Sequence, residues 1–138
     1  MTGIYQHSID SKGRLSIPVR LRDDLGKEFH VTISDENCLK GYPAESWERI
    51  REKQKAMSKL KQKKLRPIFS NAEKVEPDTQ GRILLPQRLR DRVGLKKNVA
   101  VVGNGECVEF WDSEAWAEVY AIESTPERIA EVYEELDF

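Results

Sequence analysis

The chain contains one pattern twice. At an offset of 68 residues, the stretch from Asp10 to Gly26 (DSKGRLSIPVRLRDDLG) lies over the stretch from Asp78 to Gly94 (DTQGRILLPQRLRDRVG), with nine of seventeen positions identical. Leu15/Ile83, Ile17/Leu85 and Leu25/Val93 keep their apolar character where identity fails. With one residue inserted the match continues: Cys38 with Cys107, Leu39 with Val108, Tyr42 with Trp111, Trp47 with Trp116. Ordered agreement over this length marks a duplication. It constrains the fold strongly, because each repeat is then one supersecondary unit whose apolar face needs a neighbour.

Each copy reads as strand, turn, strand, short helix, strand, strand, helix. In the first, residues 4–9 alternate, with Tyr5, His7 and Ile9 on one side and Ile4, Gln6 and Ser8 on the other. Asp10 to Gly13 is a turn: the Asp side chain can accept from the backbone two residues on, and Gly tolerates positive φ. Leu15 to Ile17 is extended, since the residue before a proline avoids the helical region. Pro18 suits a helix start, Leu21 and Leu25 sit one turn apart, and Gly26 ends the helix. Phe29–Ile33 and Cys38–Tyr42 form a hairpin across residues 34–37. Pro43 opens a longer helix carrying Ala44, Trp47, Ile50, Met57 and Leu60 at near-helical spacing.

The second copy repeats the scheme, with strands at Val99–Val102 and Cys107–Trp111 and a helix after Asp112-Ser113. Thr125 caps a last helix whose first residue is Pro126 and whose stripe is Ile129, Val132, Tyr133 and Leu136. The expected units are 1–70, ending in a helix and basic linker, and 71–138, ending in an acidic helix. Neither has enough strands to close a core alone. The fold class expected is α+β, mainly β, with one pseudo-symmetric barrel shared by both copies and flanked by helices.

The net charge of -1 conceals an asymmetry. From Gly105 to Phe138 eleven acids oppose a single base, Arg128, while the rest of the chain carries 22 bases against 13 acids. A basic body suggests an anionic partner, and solvated charge with an acidic tail is the plainer alternative. The run from Arg49 to Arg66 concentrates nine bases against Glu52 alone. It could attract DNA, meet the acidic tail of a neighbouring subunit, or be a solvated helix. No apolar run reaches membrane-span length. The opening MTGIYQHSID lacks the basic-then-apolar pattern of a secretory signal, so a cytoplasmic location is expected. Cys38 and Cys107 make no disulfide framework and read as small buried hydrophobes.

The candidate binding residues cluster on the repeated motif. Lys12 and Arg14 flank Gly13, placing two cations beside bare backbone, where Arg can grip guanine with two bonds and Lys acts as a point charge. The alternative is a structural turn in which Arg14 pairs with Asp10. Arg82 repeats Arg14, but Gln80 replaces Lys12. Arg20 and Arg22 lie away from Leu21 and Leu25, facing either phosphate or water. Asp10, Gly13, Asp78 and Gly81 are assigned to shaping the turns. Trp47, Trp111 and Trp116 follow the apolar stripes and belong to a core or interface.

Little supports catalysis. His7 and His30 are the only histidines, neither has metal-ligand spacing, and no nucleophile motif or phosphate loop is present. No enzyme activity, metal, cofactor or small-molecule substrate is expected.

The pattern Asp-x-x-Gly-Arg-apolar-x-apolar-Pro before a Leu-Arg helix resembles the AbrB/SpoVT-type DNA-binding unit. Two copies in one chain of this length, with Lys12 in the first and Gly-Arg-Ile-Leu-Leu-Pro in the second, resemble the MraZ family. Phe110-Trp111-Asp112 and Ser70-Asn71-Ala72 share in that likeness. The resemblance implies a swapped-hairpin (double-split) β-barrel and ring-shaped homo-oligomers associated with the nucleoid. It also implies binding to short repeats in double-stranded DNA, upstream of the division and cell-wall operon that includes the regulator's own gene. An AbrB-type antitoxin-like interaction protein is the alternative.

Overall fold

A computed structural model describes residues 1–137 of the 138; the expected unit 71–138 thus has only its last residue outside the described ones. The first half runs β1 (Ile4–Ser8), β2 (Arg14–Ser16), α1 (Val19–Leu25), β3 (Phe29–Ile33), β4 (Leu39–Pro43), α2 (Ala44–Ala56), α3 (Lys59–Lys64) and α4 (Arg66–Ser70). The second runs β5 (Glu73–Val75), β6 (Arg82–Leu84), α5 (Gln87–Arg92), β7 (Asn98–Asn104), β8 (Cys107–Asp112), α6 (Ser113–Glu123) and α7 (Pro126–Leu136). The mixed α+β class agrees with the sequence reading, as does the order of elements through each hairpin; the stretch expected as a basic linker is instead helical, in α3 and α4. Among the described residues no helix is long and apolar enough to cross a membrane.

The single helix expected from Pro43 through Leu60 is two. Helix α2 stops at Ala56, Met57 turns extended, and the Ser58 hydroxyl caps α3 by accepting from the Lys61 amide. A serine at that position competes for the backbone and favours a cap over a helix interior. Leu60 is consequently left 71% exposed.

The two halves exchange strands. Six antiparallel strands lie in the order β1-β7-β8-β4-β3-β5, so each half's first strand joins the other half's hairpin. Strands β2 and β6, one from each half, form a separate two-stranded ribbon. Among the described residues these ladders form an open six-stranded sheet and a ribbon, and no ladder closes the sheet into the expected barrel.

The pairing registers match residues of the two halves symmetrically about two rungs. In the ribbon, Leu15 pairs with Ile83, its own repeat equivalent. In the sheet, Lys40 pairs with its equivalent Glu109, flanked by Leu39↔Phe110 and Gly41↔Val108. Glu109 is buried but satisfied, accepting from Trp111 Nε1 at 3.0 Å and Asn104 Nδ2 at 3.1 Å. Gly41 makes room at this junction: a Cβ there would lie 2.7 Å from Val108 Cγ1 and 3.2 Å from rings of both Phe110 and Phe29.

One main core results, with nine buried residues from each half, including the fully buried Leu15, Phe29, Leu39, Leu85 and Phe110. Trp47 is buried by stacking on His30, with centroids 4.8 Å apart. Cys38 and Cys107 are both buried and free, and burial pushes the Cys38 thiol up to about 12. That keeps it protonated and unreactive.

Candidate nucleic-acid interface

The repeated motif builds the same turn twice. Asp10 Oδ1 accepts from the Lys12 and Arg14 amides, both at 2.9 Å, while Oδ2 accepts from Arg14 Nε at 2.8 Å. Asp78 does the same for the Gln80 amide, the Arg82 amide and Arg82 Nε, each at 2.9 Å. Gly13 and Gly81 close the turns at φ 81° and 77°, a region that L side chains avoid. Both aspartates therefore accept hydrogen bonds within their own turns. Each also holds its arginine by Nε, so the pairing read from sequence as an alternative to DNA contact is present for Arg14. It leaves the guanidinium's two Nη groups as further donors.

The Arg14 amide, with help from its guanidinium and the Lys12 amide, holds the Asp10 carboxyl at about 2. Asp78 is lowered for the same reasons. A depressed folded pKa means the ionised turn lends stability above the ordinary carboxylate value of 3.8, lost as pH falls through about 2. We therefore expect Asp10→Asn to lower the melting temperature near neutral pH and to flatten its decline between about pH 4 and 2. Thermal melts followed by circular dichroism across that window check this; an unchanged acid limb would refute it.

The turns sit at opposite ends of the β2–β6 ribbon. Beyond the three paired rungs, the Ile17 amide donates to Gly81 O at 2.8 Å and the Leu85 amide to Gly13 O at 3.0 Å. Four residue steps separate the two glycines along the ribbon, roughly 13 Å at the usual strand rise. Leu15 and Ile83 are buried beneath, so Arg14, Ser16, Arg82 and Leu84 share the outer face by alternation. Lys12 and Gln80, both exposed, stand on the flanking turns.

Arg22 belongs to a brace. Its Nε donates to Ile17 O at 2.9 Å, and its guanidinium covers Gly81, filling the space a Cβ there would need. Arg90 mirrors it, donating to Leu85 O at 2.9 Å and lying over Gly13. Each short helix thereby holds down the turn of the other half. Arg20 is exposed beside Met1, Thr2 and Tyr5, at the far end of β1 from Asp10. Of the five cations singled out, the fold groups Lys12, Arg14 and Arg82 on the ribbon, tucks Arg22 against the second turn and sets Arg20 apart. Arg90 escaped the sequence reading although its identity with Arg22 in the repeat was the signal.

Two further surfaces are charged. In α2, Arg49, Arg51 and Lys55 pair with Glu45, Glu48 and Glu52 at 3.6 to 3.7 Å, whereas Lys59, Lys61, Lys63 and Lys64 of α3 make no ion pair among the described residues. In the acidic α7, Ile129, Val132, Tyr133 and Leu136 are 43 to 58% exposed, so the apolar stripe read from the sequence faces outward within one chain.

A family model described as "MraZ protein, putative antitoxin-like" matches residues 1–66 and then residues 68–132. A protein named "Transcriptional regulator MraZ" from Heliobacterium modesticaldum (strain ATCC 51547 / Ice1) is 42% identical over 137 residues, covering 97% of this chain and 92% of that one. The two family matches leave only Pro67 between them, inside α4 at the end of the basic segment. With nearly the whole length accounted for, the chain belongs to the MraZ family.

Proposed function

We propose that this chain is a sequence-specific, DNA-binding transcriptional regulator whose reading surface is the outer face of the β2–β6 ribbon with its two turns. One observation carries the reading. A two-stranded ribbon holds Arg14 and Arg82 outward, each fixed at Nε by an aspartate, with Lys12 at one end. A ribbon of that width fits the major groove, where arginine meets guanine O6 and N7. Phosphate contacts from Lys12 position the protein, while base contacts from the arginines specify the sequence. Arg22 serves this surface by holding the second turn in place, while Arg20, set apart beside Met1 and Tyr5, adds positive charge for phosphate away from it. The similarity to a transcriptional regulator supports the same reading.

The targets we propose are short tandem repeats upstream of the division and cell-wall operon that includes the chain's own gene, bound in the cytoplasm on the nucleoid. The strand exchange supports a swapped-hairpin arrangement of two tandem repeats, 1–70 and 71–138. The exposed stripe of α7 and the lysines of α3 suit assembly into a ring, which would present several ribbons to successive repeats. A monodisperse monomer in light scattering at micromolar concentration would exclude the ring. The reading requires no cofactor, metal or small-molecule substrate.

Fluorescence anisotropy on duplex DNA from upstream of the gene, against a scrambled duplex, tests the function. The wild type should prefer the first. Lys12→Ala should flatten the slope of log K against log salt by about 0.9 for each phosphate that is no longer neutralised, with little change in the preference. Equal binding of both duplexes by the wild type would overturn the proposal. An antitoxin-like role, favoured by the family description and the acidic α7, predicts instead a basic protein partner that binds in the absence of DNA.

A further inference from the structure

Leu84 is out of place for a ribbon built only of cations and turns. It is 60% exposed on the outer face, across the rung from Arg14. A lone exposed leucine is ordinary on a protein surface; this one is distinguished by its surroundings and by its counterpart. Its repeat equivalent is Ser16, on the same face of the same ribbon. The ribbon therefore accepts a small polar residue at this position, and its fold does not demand apolar bulk here. The Leu84 side chain leans over the first turn, with Cδ1 3.5 Å from where a Gly13 Cβ would be, between Lys12 and Arg14 in the chain. Arg82 lies two residues away on the same face. An apolar group on the face shared with Arg14 and Arg82, beside the Lys12 turn and the Arg90 guanidinium, suits a partner that is anionic overall yet offers an apolar spot.

Duplex DNA offers such a spot in the major groove. The C5-methyl of thymine is its apolar group, and aliphatic side chains read it by contact. We infer that Leu84 is a specificity-determining residue that packs on a thymine methyl beside the base edge met by Arg14. The inference rests on the DNA-binding reading and deepens it. It also breaks the symmetry of the site. The first turn engages its bases with Lys12, Arg14 and Leu84, whereas the second has Gln80, Arg82 and Ser16. One subunit then demands thymine on one side of its site only.

Replacing thymine by deoxyuridine, one position at a time, removes that methyl and leaves the hydrogen-bonding edge intact. On upstream DNA, the full-length wild type should weaken about fourfold at one thymine per bound subunit, the worth of one buried methyl-sized group. Leu84→Ser, which copies the other half's residue, should weaken about as much on thymine DNA and be indifferent to the uridine at that position. Leu84→Met keeps an apolar contact and should retain the sensitivity. Melting curves for both variants establish that they fold. A wild type that prefers its upstream DNA but is indifferent to every uridine overturns the role of Leu84 alone. So does a Leu84→Ser protein with the wild-type uridine response. A wild type with no preference for its upstream DNA overturns the DNA reading and this inference together.

Discussion

A chain ending at Ser70 should show no cooperative thermal transition as a monomer. Its β1 has its partner in β7 and its β2 in β6, both beyond the cut, and β3 loses β5. The β3–β4 hairpin and the helices remain, and an isolated hairpin is marginal in water. Nine of the eighteen residues of the main core go with the second half. Self-pairing of two such fragments is the obvious rescue, and the central rungs oppose it. Lys40 would face Lys40 where the intact chain pairs it with Glu109, and directly opposed like charges destabilise a sheet. Leu39 would face Gly41 where Phe110 now fills the space, leaving a void. The fragment 71–138 suffers the converse, with Glu109 against Glu109. Mixed, the fragments should regain the complementary rungs and a cooperative melt by circular dichroism. A concentration-independent transition from the first fragment alone would refute the shared core.

Much of this architecture was legible in the repeat. The order of elements in each half followed from alternation, turn residues and caps, all of them local signals. Strand partners did not follow, because alternation reveals which face of a strand is buried but not which neighbour it joins. The exchange of β1 and β5 rests instead on pairs of residues distant in sequence, such as Tyr5 with Val101 and His30 with Lys74. The break at Met57 was local yet overlooked: the apolar spacing ran on through Leu60, while Ser58 carried the stronger signal as a cap.

The site was legible to a lesser degree, for a related reason. Asp10 and Arg14 are four residues apart, so their turn could be anticipated from its chemistry. Arg22 looked like a surface cation because helix periodicity places it away from Leu21 and Leu25. Its carbonyl partner, Ile17, is near in sequence, but the glycine it covers is 59 positions on, at Gly81. Leu84 read as one more apolar strand residue. Only the pairing of β2 with β6 turns it outward and makes the contrast with Ser16 meaningful.

Arg14→Ala should have the largest effect on DNA recognition of any single change on the ribbon. The side chain is half-buried, held at Nε by Asp10 and flanked by Gly13, so its direction is set before DNA arrives. Little order has to be imposed on binding, and the Nη pair is left to meet guanine. Removing one such bidentate pairing costs roughly 1–3 kcal/mol of discrimination. The substitution is present in every subunit, so a ring engaging two repeats would lose about twice that. Binding to scrambled DNA should fall far less, since it depends on charge and not on base edges. Arg14→Lys separates the two contributions: it preserves the charge and the salt slope but lacks the planar fork, so its discrimination should fall nearly as far. Competition binding of both variants against scrambled duplex, after melts confirm folding, provides the measurement. A folded Arg14→Ala protein that discriminates as well as wild type would remove the first turn from the reading surface.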